Sequence, residues 1–199
     1  MKHPLPVFAG IDYGSKLAGT TVIALYEAGS PVRMYQCEKK KDADKFLLSR
    51  LIAERPTEIF LDAPLSLPGI YRDLPGCTDY FYRRSDRELR AMSPMFLGGL
   101  TARAIKLKDE LTQEGFSVRE VYPAALAKLL KLKDLGYKND KKNLAACTDV
   151  VQTHYDLRLP RNLDNWHQFD ALLALASGMR FLHGEHRCAG DAEEGLIIF

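Results

Sequence analysis

The stretch Val7-Phe8-Ala9-Gly10-Ile11-Asp12-Tyr13-Gly14-Ser15-Lys16 organises the reading of this chain. A short apolar run climbs to a single carboxylate, Asp12, and breaks at Gly14. A strand buried on both faces reads this way, because a covered sheet leaves neither face to water. An acid at the end of such a run is costly to bury unless hydrogen-bond donors or a cation meet it. Asp12 therefore either caps the turn at Gly14 or holds something.

Outward from there, Thr20–Tyr26 is rich in β-branched residues, and the turn Ala28-Gly29-Ser30-Pro31 leads into Val32–Cys37. Two short connections among three strands predict an antiparallel meander, whose last strand carries Arg33 and Gln36 at an outer position. A helix is expected over Ala43–Arg55, with Phe46, Leu47, Leu51 and Ile52 as its apolar stripe and Pro56 as its stop. The next apolar run, Glu58–Ala63, again ends on an acid, Asp62. Strand, helix, strand predicts a right-handed crossover into a parallel neighbour.

Residues 64–78 read as a loop rich in proline and glycine. Asp79–Met92 is expected as a charged helix carrying Arg83, Arg84, Arg87 and Arg90, and Leu100–Gln113 as a further helix. Together they make a helical insertion around 79–115. Ser117–Tyr122 is a third core-strand candidate with Glu120 inside it. Helices follow at Ala124–Leu132, about Lys141–Tyr155 and Trp166–Leu182. The last buries Phe169, Leu172, Leu173, Leu175, Ala176 and Met179 and carries Asp170 near its start. Gly195–Phe199 is apolar and is expected to dock as a strand or pinned segment. With no internal repeat and no linker, residues 1–199 are expected to form a single domain.

The 199 residues carry a net charge of only +2, so no global field draws nucleic acid or an anionic membrane. Such a partner would need a local basic face. Cys37, Cys77, Cys147 and Cys188 are widely spaced and form no Cys-x-x-Cys pair, which argues against structural zinc and a disulfide framework. Met1–Pro4 leads straight toward the first strand without an apolar signal segment, and no run approaches the ~20 apolar residues that span a bilayer. A cytoplasmic protein without membrane contact is the expectation.

Three acids thus fall at strand positions, Asp12, Asp62 and Glu120, and a fourth, Asp170, on the last core helix. If the first and fourth strands are parallel neighbours, Asp12 and Asp62 stand side by side, about 4.8 Å apart. Clustered carboxylates raise one another's pKa unless a divalent cation neutralises them. Mg²⁺ takes one or two protein carboxylates and fills its octahedron with water and phosphate oxygens. Each acid also has a plainer reading. Asp12 can bond the Gly14 backbone, Asp62 can satisfy loop amides, Glu120 can pair with Arg119 or a neighbouring arginine, and Asp170 can complement its helix dipole. His167 reads as a packed or capping residue before it reads as a proton shuttle, and Tyr122 and Trp166 read as core. Arg84, Arg87 and Arg90 lie at 3–4 spacing and are candidates to grip phosphate, although a solvated face interleaved with Asp79, Asp86 and Glu88 is the plainer reading. Lys138, Lys141 and Lys142 form a second, weaker basic cluster.

The element order and the acid positions resemble the ribonuclease H-like fold. More narrowly, the chain resembles the domain of unknown function 429 family, predicted nucleases of that superfamily. The resemblance rests on Gly10-Ile11-Asp12 with Gly14, Asp62-Ala63-Pro64-Leu65-Ser66-Leu67-Pro68, Arg84-Ser85-Asp86-Arg87, Glu120-Val121-Tyr122-Pro123, Asp170-Ala171-Leu172-Leu173 and the closing Glu194-Gly195-Leu196-Ile197-Ile198. It spans nearly the whole chain, and the Asp-Ala-Pro-Leu run is its most specific part. Ala124 departs from the pattern, because members often carry an acid just after the Tyr-Pro pair.

The resemblance implies an α/β fold: a mixed sheet of order 3-2-1-4-5, three antiparallel strands plus parallel ones, with helices on both faces. It also implies a metal-dependent nuclease acting on DNA or RNA. Asp12, Asp62 and Asp170 would then hold Mg²⁺ or Mn²⁺, Glu120 would be a further ligand or orient water, and Lys16, Arg84, Arg87 and Arg90 would meet the substrate. Two other functions fit the same residues. One is an ATP-binding phosphotransferase of the actin and sugar-kinase kind, with the Asp12–Lys16 turn cradling phosphate, although one domain is short for it. The other is a nucleic-acid-binding module without chemistry.

Overall fold

The structure is a computed structural model that describes residues 6–199. Met1–Pro4, where no signal segment was expected, lie outside the described residues. Five strands, β1 (Val7–Asp12), β2 (Val22–Glu27), β3 (Arg33–Gln36), β4 (Glu58–Asp62) and β5 (Ser117–Glu120), form one sheet in the order β3-β2-β1-β4-β5. The β1–β2 and β2–β3 pairs are antiparallel, and the β1–β4 and β4–β5 pairs are parallel. This is the mixed sheet of order 3-2-1-4-5 anticipated from the sequence.

Alternation along each strand divides the side chains between two layers. Ala9, Ile11, Ile23, Leu25, Ile59 and Leu61 face one layer, where they meet Leu47 and Leu51 of α1 (Ala43–Glu54). That layer also holds residues of a long helix, α4 (Gly99–Gln113), which follows the short α2 (Arg84–Leu89) and α3 (Pro94–Leu97). Val22 and Ala24 face the other layer, formed by α5 (Pro123–Leu129), α6 (Leu144–Tyr155) and α7 (Trp166–Leu182). Asp12 and Asp62 fall on the even positions, so they belong to the α7 side.

Helix α7 has no solvent face along most of its length. Every residue from Gln168 to Met179 is buried, so its pattern is apolar all round rather than striped. It lies very close to the sheet. A β-carbon on Gly10 would come 2.1 Å from Leu175 N and 2.6 Å from Ala171 O, and one on Gly178 would strike the Phe60 ring at 2.1 Å. Gly10 is therefore fixed by backbone approach and not by a turn.

The expected helix over 79–92 is much shorter. Asp79 Oδ1 accepts from the amides of Phe81 and Tyr82, Arg83 is extended, and only Arg84–Leu89 is helical before Arg90 turns left-handed at φ 54°. The helix expected over 124–132 ends at Leu129, and Lys141–Asn143 make a tighter 3₁₀ turn before α6. Ile52, assigned to the apolar stripe of α1, is 43% exposed. The C-terminal segment docks as a strand: β7 (Gly195–Ile198) pairs antiparallel with β6 (Cys188–Asp191), and Ile198 bridges to Val121 beyond the end of β5.

Gly10→Ala is expected to destabilise the fold by about 3 kcal/mol, since the added methyl meets backbone atoms that cannot rotate away. Guanidinium unfolding measures this. An unchanged midpoint would show that α7 slides off β1 freely.

Candidate functional site

β1 and β4 end in register, with Asp12 directly paired to Asp62 across the parallel ladder. Asp170 lies one turn into α7, past its Asn165 cap, which places it against the same side of the sheet and too far in to serve the first-turn amides. The structure thus gathers three of the four expected acids. They differ sharply in what surrounds them.

Asp12 is one-sided: its Oδ2 lies 2.8 Å from Nδ1 of His167, in the first turn of α7. That hydrogen bond raises the His167 pKa, burial works against it, and the negative charges of Asp12 and Asp170 add to the rise. His167 was read as a packed or capping residue, and it is instead half-exposed at the site. Asp170 is buried, and both of its oxygens are engaged. Tyr137 donates its hydroxyl to Oδ1 at 2.6 Å, and the Lys138 ammonium lies 2.5 Å from Oδ2. Burial still pushes the Asp170 pKa up, with Lys138 opposing.

Among the described residues, Asp62 is the acid without a hydrogen-bond partner: no side chain or amide donates to it. Burial raises its pKa well above the usual carboxylate range, and the charges of Asp12 and Asp170 raise it further. Asp12 and Asp62 also line one cavity of about 240 Å³, whose other wall is apolar and includes Met92, Leu97 and Leu100.

Glu120 lines this cavity too, but its expected role as a ligand or water-orienting group does not fit its contacts. Arg83 is completely buried and grips Glu120 through two hydrogen bonds of 2.7 Å, while the Leu65 amide donates to Oε2 at 2.8 Å. Asp86 takes the other side of the same guanidinium at 2.7 Å, from Nη2, and at 3.0 Å, from Nε. Arg83 had been grouped with the solvated arginines. Its extended backbone and shielded charge instead tie the loop after β4 to the end of β5.

Glu194, from the turn between β6 and β7, completes the brace. Its carboxylate accepts from Gly69 N at 2.8 Å and Arg84 N at 2.6 Å, while its carbonyl accepts from the Ser66 hydroxyl at 2.8 Å. The loop carrying Asp62-Ala63-Pro64-Leu65 is therefore held by charged hydrogen bonds from three distant parts of the chain.

The expected phosphate-gripping residues do not join the cluster. Lys16 pairs with Asp42 at 3.3 Å, Arg84 with Glu88 at 2.7 Å and Arg87 with Asp79 at 2.7 Å. Arg84 and Arg87 line a separate pocket with Tyr82 and Glu194. Arg90 sits on the surface beyond α2. In the Asp12–Lys16 turn, the Gly14 amide is spent on Thr21 Oγ1 at 3.0 Å and the Gly14 carbonyl accepts from Arg103. The Gly14 amide is therefore not available to a phosphate at this turn.

No family model and no curated protein matches the chain. Among solved structures it is similar to T. thermophilus RuvC in complex with a Holliday junction substrate, at 16% identity and a TM-score of 0.49, covering 93% of this chain and 98% of that one. No helix among the described residues is long and apolar enough to cross a membrane.

The donor set suits a hard divalent ion, since Asp12 and Asp62 offer adjacent carboxylate oxygens and Mg²⁺ or Mn²⁺ prefers one or two of these with water. Asp170, with both oxygens taken, is not free to be the third. Accordingly, no three His, Cys, Asp or Glu side chains among the described residues are placed to share an ion.

Without metal, Asp62 destabilises the fold at neutral pH. Its raised folded pKa means that its favourable contribution is present below the unfolded value near ~4 and is lost as pH rises through the folded value. Asp62→Asn is therefore expected to be more stable than the parent by about 1–2 kcal/mol at pH 7.5 in EDTA, with the gain vanishing toward pH 4. Urea melts across pH measure it, and a destabilised variant at pH 7.5 would show that Asp62 has a partner.

Proposed function

We propose that the chain is a divalent-metal-dependent nuclease hydrolysing a nucleic-acid phosphodiester, of the kind the domain of unknown function 429 resemblance implies. The observation that carries this reading is the in-register Asp12–Asp62 pair, with Asp62 left unpartnered at the rim of a cavity. An unpaired carboxylate beside two others is costly in a fold, and a site that binds a cation is the setting that offsets the cost.

Asp12 and Asp62 would hold Mg²⁺ or Mn²⁺, with Asp170 as the third ligand once freed. When bound, such an ion supplies charge neutralisation for the phosphate and lowers the pKa of water. His167, fixed by Asp12, is placed to move a proton at Nε2, the nitrogen not engaged by the carboxylate. Arg83 and Glu120 act indirectly, by holding the Asp62 loop in position. Met92 and Leu97 give that cavity an apolar wall. Lys16, Arg84, Arg87 and Arg90 remain candidates for longer-range attraction of the strand, since surface pairs such as Arg84–Glu88 exchange readily for phosphate.

One observation favours a binding module instead. Lys138 meets Asp170 and His167 meets Asp12 from within the chain, so both acids already have partners.

Labelled single-stranded, duplex, hybrid and branched DNA and RNA, incubated with Mn²⁺ or Mg²⁺, separate these readings. Cleavage is expected to fall about 10³-fold in Asp12→Ala with Asp62→Ala, as several kcal/mol of charge stabilisation disappear. Binding that needs no metal, with cleavage of none of the substrates, would support the module.

A further inference from the structure

We propose that Lys138 is the resident cation of the carboxylate cluster, and that a divalent ion completes its site only by displacing the Lys138 ammonium from Asp170. The inference rests on the metal-site reading above and names what regulates that site.

Asp170 has two neighbours of unequal firmness. Tyr137 is buried and wedged edge-on against Trp166, at 5.5 Å between ring centroids, and packed on Phe169 at 5.8 Å. Its hydroxyl cannot leave Oδ1 without opening that core. The Lys138 side chain is half-exposed; its ammonium makes the 2.5 Å contact to Oδ2 and lies 5.3 Å from the centroid of the Tyr137 ring. Four rotatable bonds let the ammonium retreat to water at little cost, so Oδ2 is the oxygen that can be released.

The backbone keeps Lys138 there. It follows Gly136, at φ 80°, and itself adopts a left-handed φ of 60°, in a turn closed by bonds from Tyr137 N to Leu132 O and from Asn143 Nδ2 to Gly136 O. A non-glycine residue is uncommon in that region, and this one sets its ammonium against Asp170.

The consequence is a weakened metal site. If the ammonium covers Asp170 in about nine molecules of ten, apparent affinity falls about tenfold relative to the open form. Mn²⁺ titrated calorimetrically into the full chain tests this in the parent, Lys138→Met, Lys138→Arg and Lys133→Met, with folding checked by circular dichroism. Lys138→Met is expected to bind Mn²⁺ about tenfold more tightly. Lys138→Arg, which keeps the charge, and the distant Lys133→Met should stay near the parent. Equal or weaker binding by folded Lys138→Met overturns the inference alone, provided that the parent binds and Asp12→Ala with Asp62→Ala does not. Failure of every variant and the parent to bind Mn²⁺ at millimolar levels overturns the metal-site reading and this inference with it.

Discussion

Two carboxylates at the ends of adjacent parallel strands cannot both sit unpaired near a protein interior unless something else holds them there. In this chain the parallel register of β1 and β4 sets Asp12 beside Asp62, and the repulsion between them is met only in part. His167 answers Asp12, Lys138 answers Asp170, and Asp62 has no answer among the described residues. The sheet tolerates this because its register is fixed elsewhere. Gly10 admits the α7 backbone to within van der Waals contact of β1, and Phe60 of β4 fills the space left by Gly178 of α7. Sliding either strand by one residue would turn every apolar side chain to the wrong layer.

The second constraint is the buried Arg83. A completely buried guanidinium is stabilising only when it is fully paired, and here Glu120 and Asp86 occupy both sides of its fork. The pairing links β5, α2 and the Asp62 loop, and Glu194 adds the C-terminal hairpin to the same node. An ion cluster of this kind gives little net stability compared with apolar packing, but it fixes geometry. The element it fixes is the loop that presents Asp62 to the cavity.

Strands and helices with strong periodicity were legible in the sequence. The meander, the crossover and α7 could be placed because their apolar runs are long and bounded by glycine or proline. The meeting of Asp12 and Asp62 followed from one crossover and strand parity, whereas the place of Asp170 beside them came from the family resemblance. The segment from Asp79 to Met92 was misread because arginine spacing looks the same whether the guanidinium is solvated or buried. Only the tertiary partner Glu120, 37 residues away from Arg83, separates the two cases. His167 and Lys138 were hidden for a similar reason. A histidine three residues before Asp170 carried a faint signal, whereas Lys138 reaches Asp170 through a left-handed turn that no apolar pattern marks. Strand β6 was missed because Cys188–Asp191 is short and half-polar, and its pairing depends on β7.

The central claim is that Asp12 and Asp62 together bind a divalent cation. Crystals soaked in Mn²⁺ and measured at the manganese absorption edge test it directly. The account predicts an anomalous peak within about 2.2 Å of carboxylate oxygens from both residues, with the Lys138 ammonium moved away from Asp170. Saturating Mn²⁺ with no peak between Asp12 and Asp62 would contradict it.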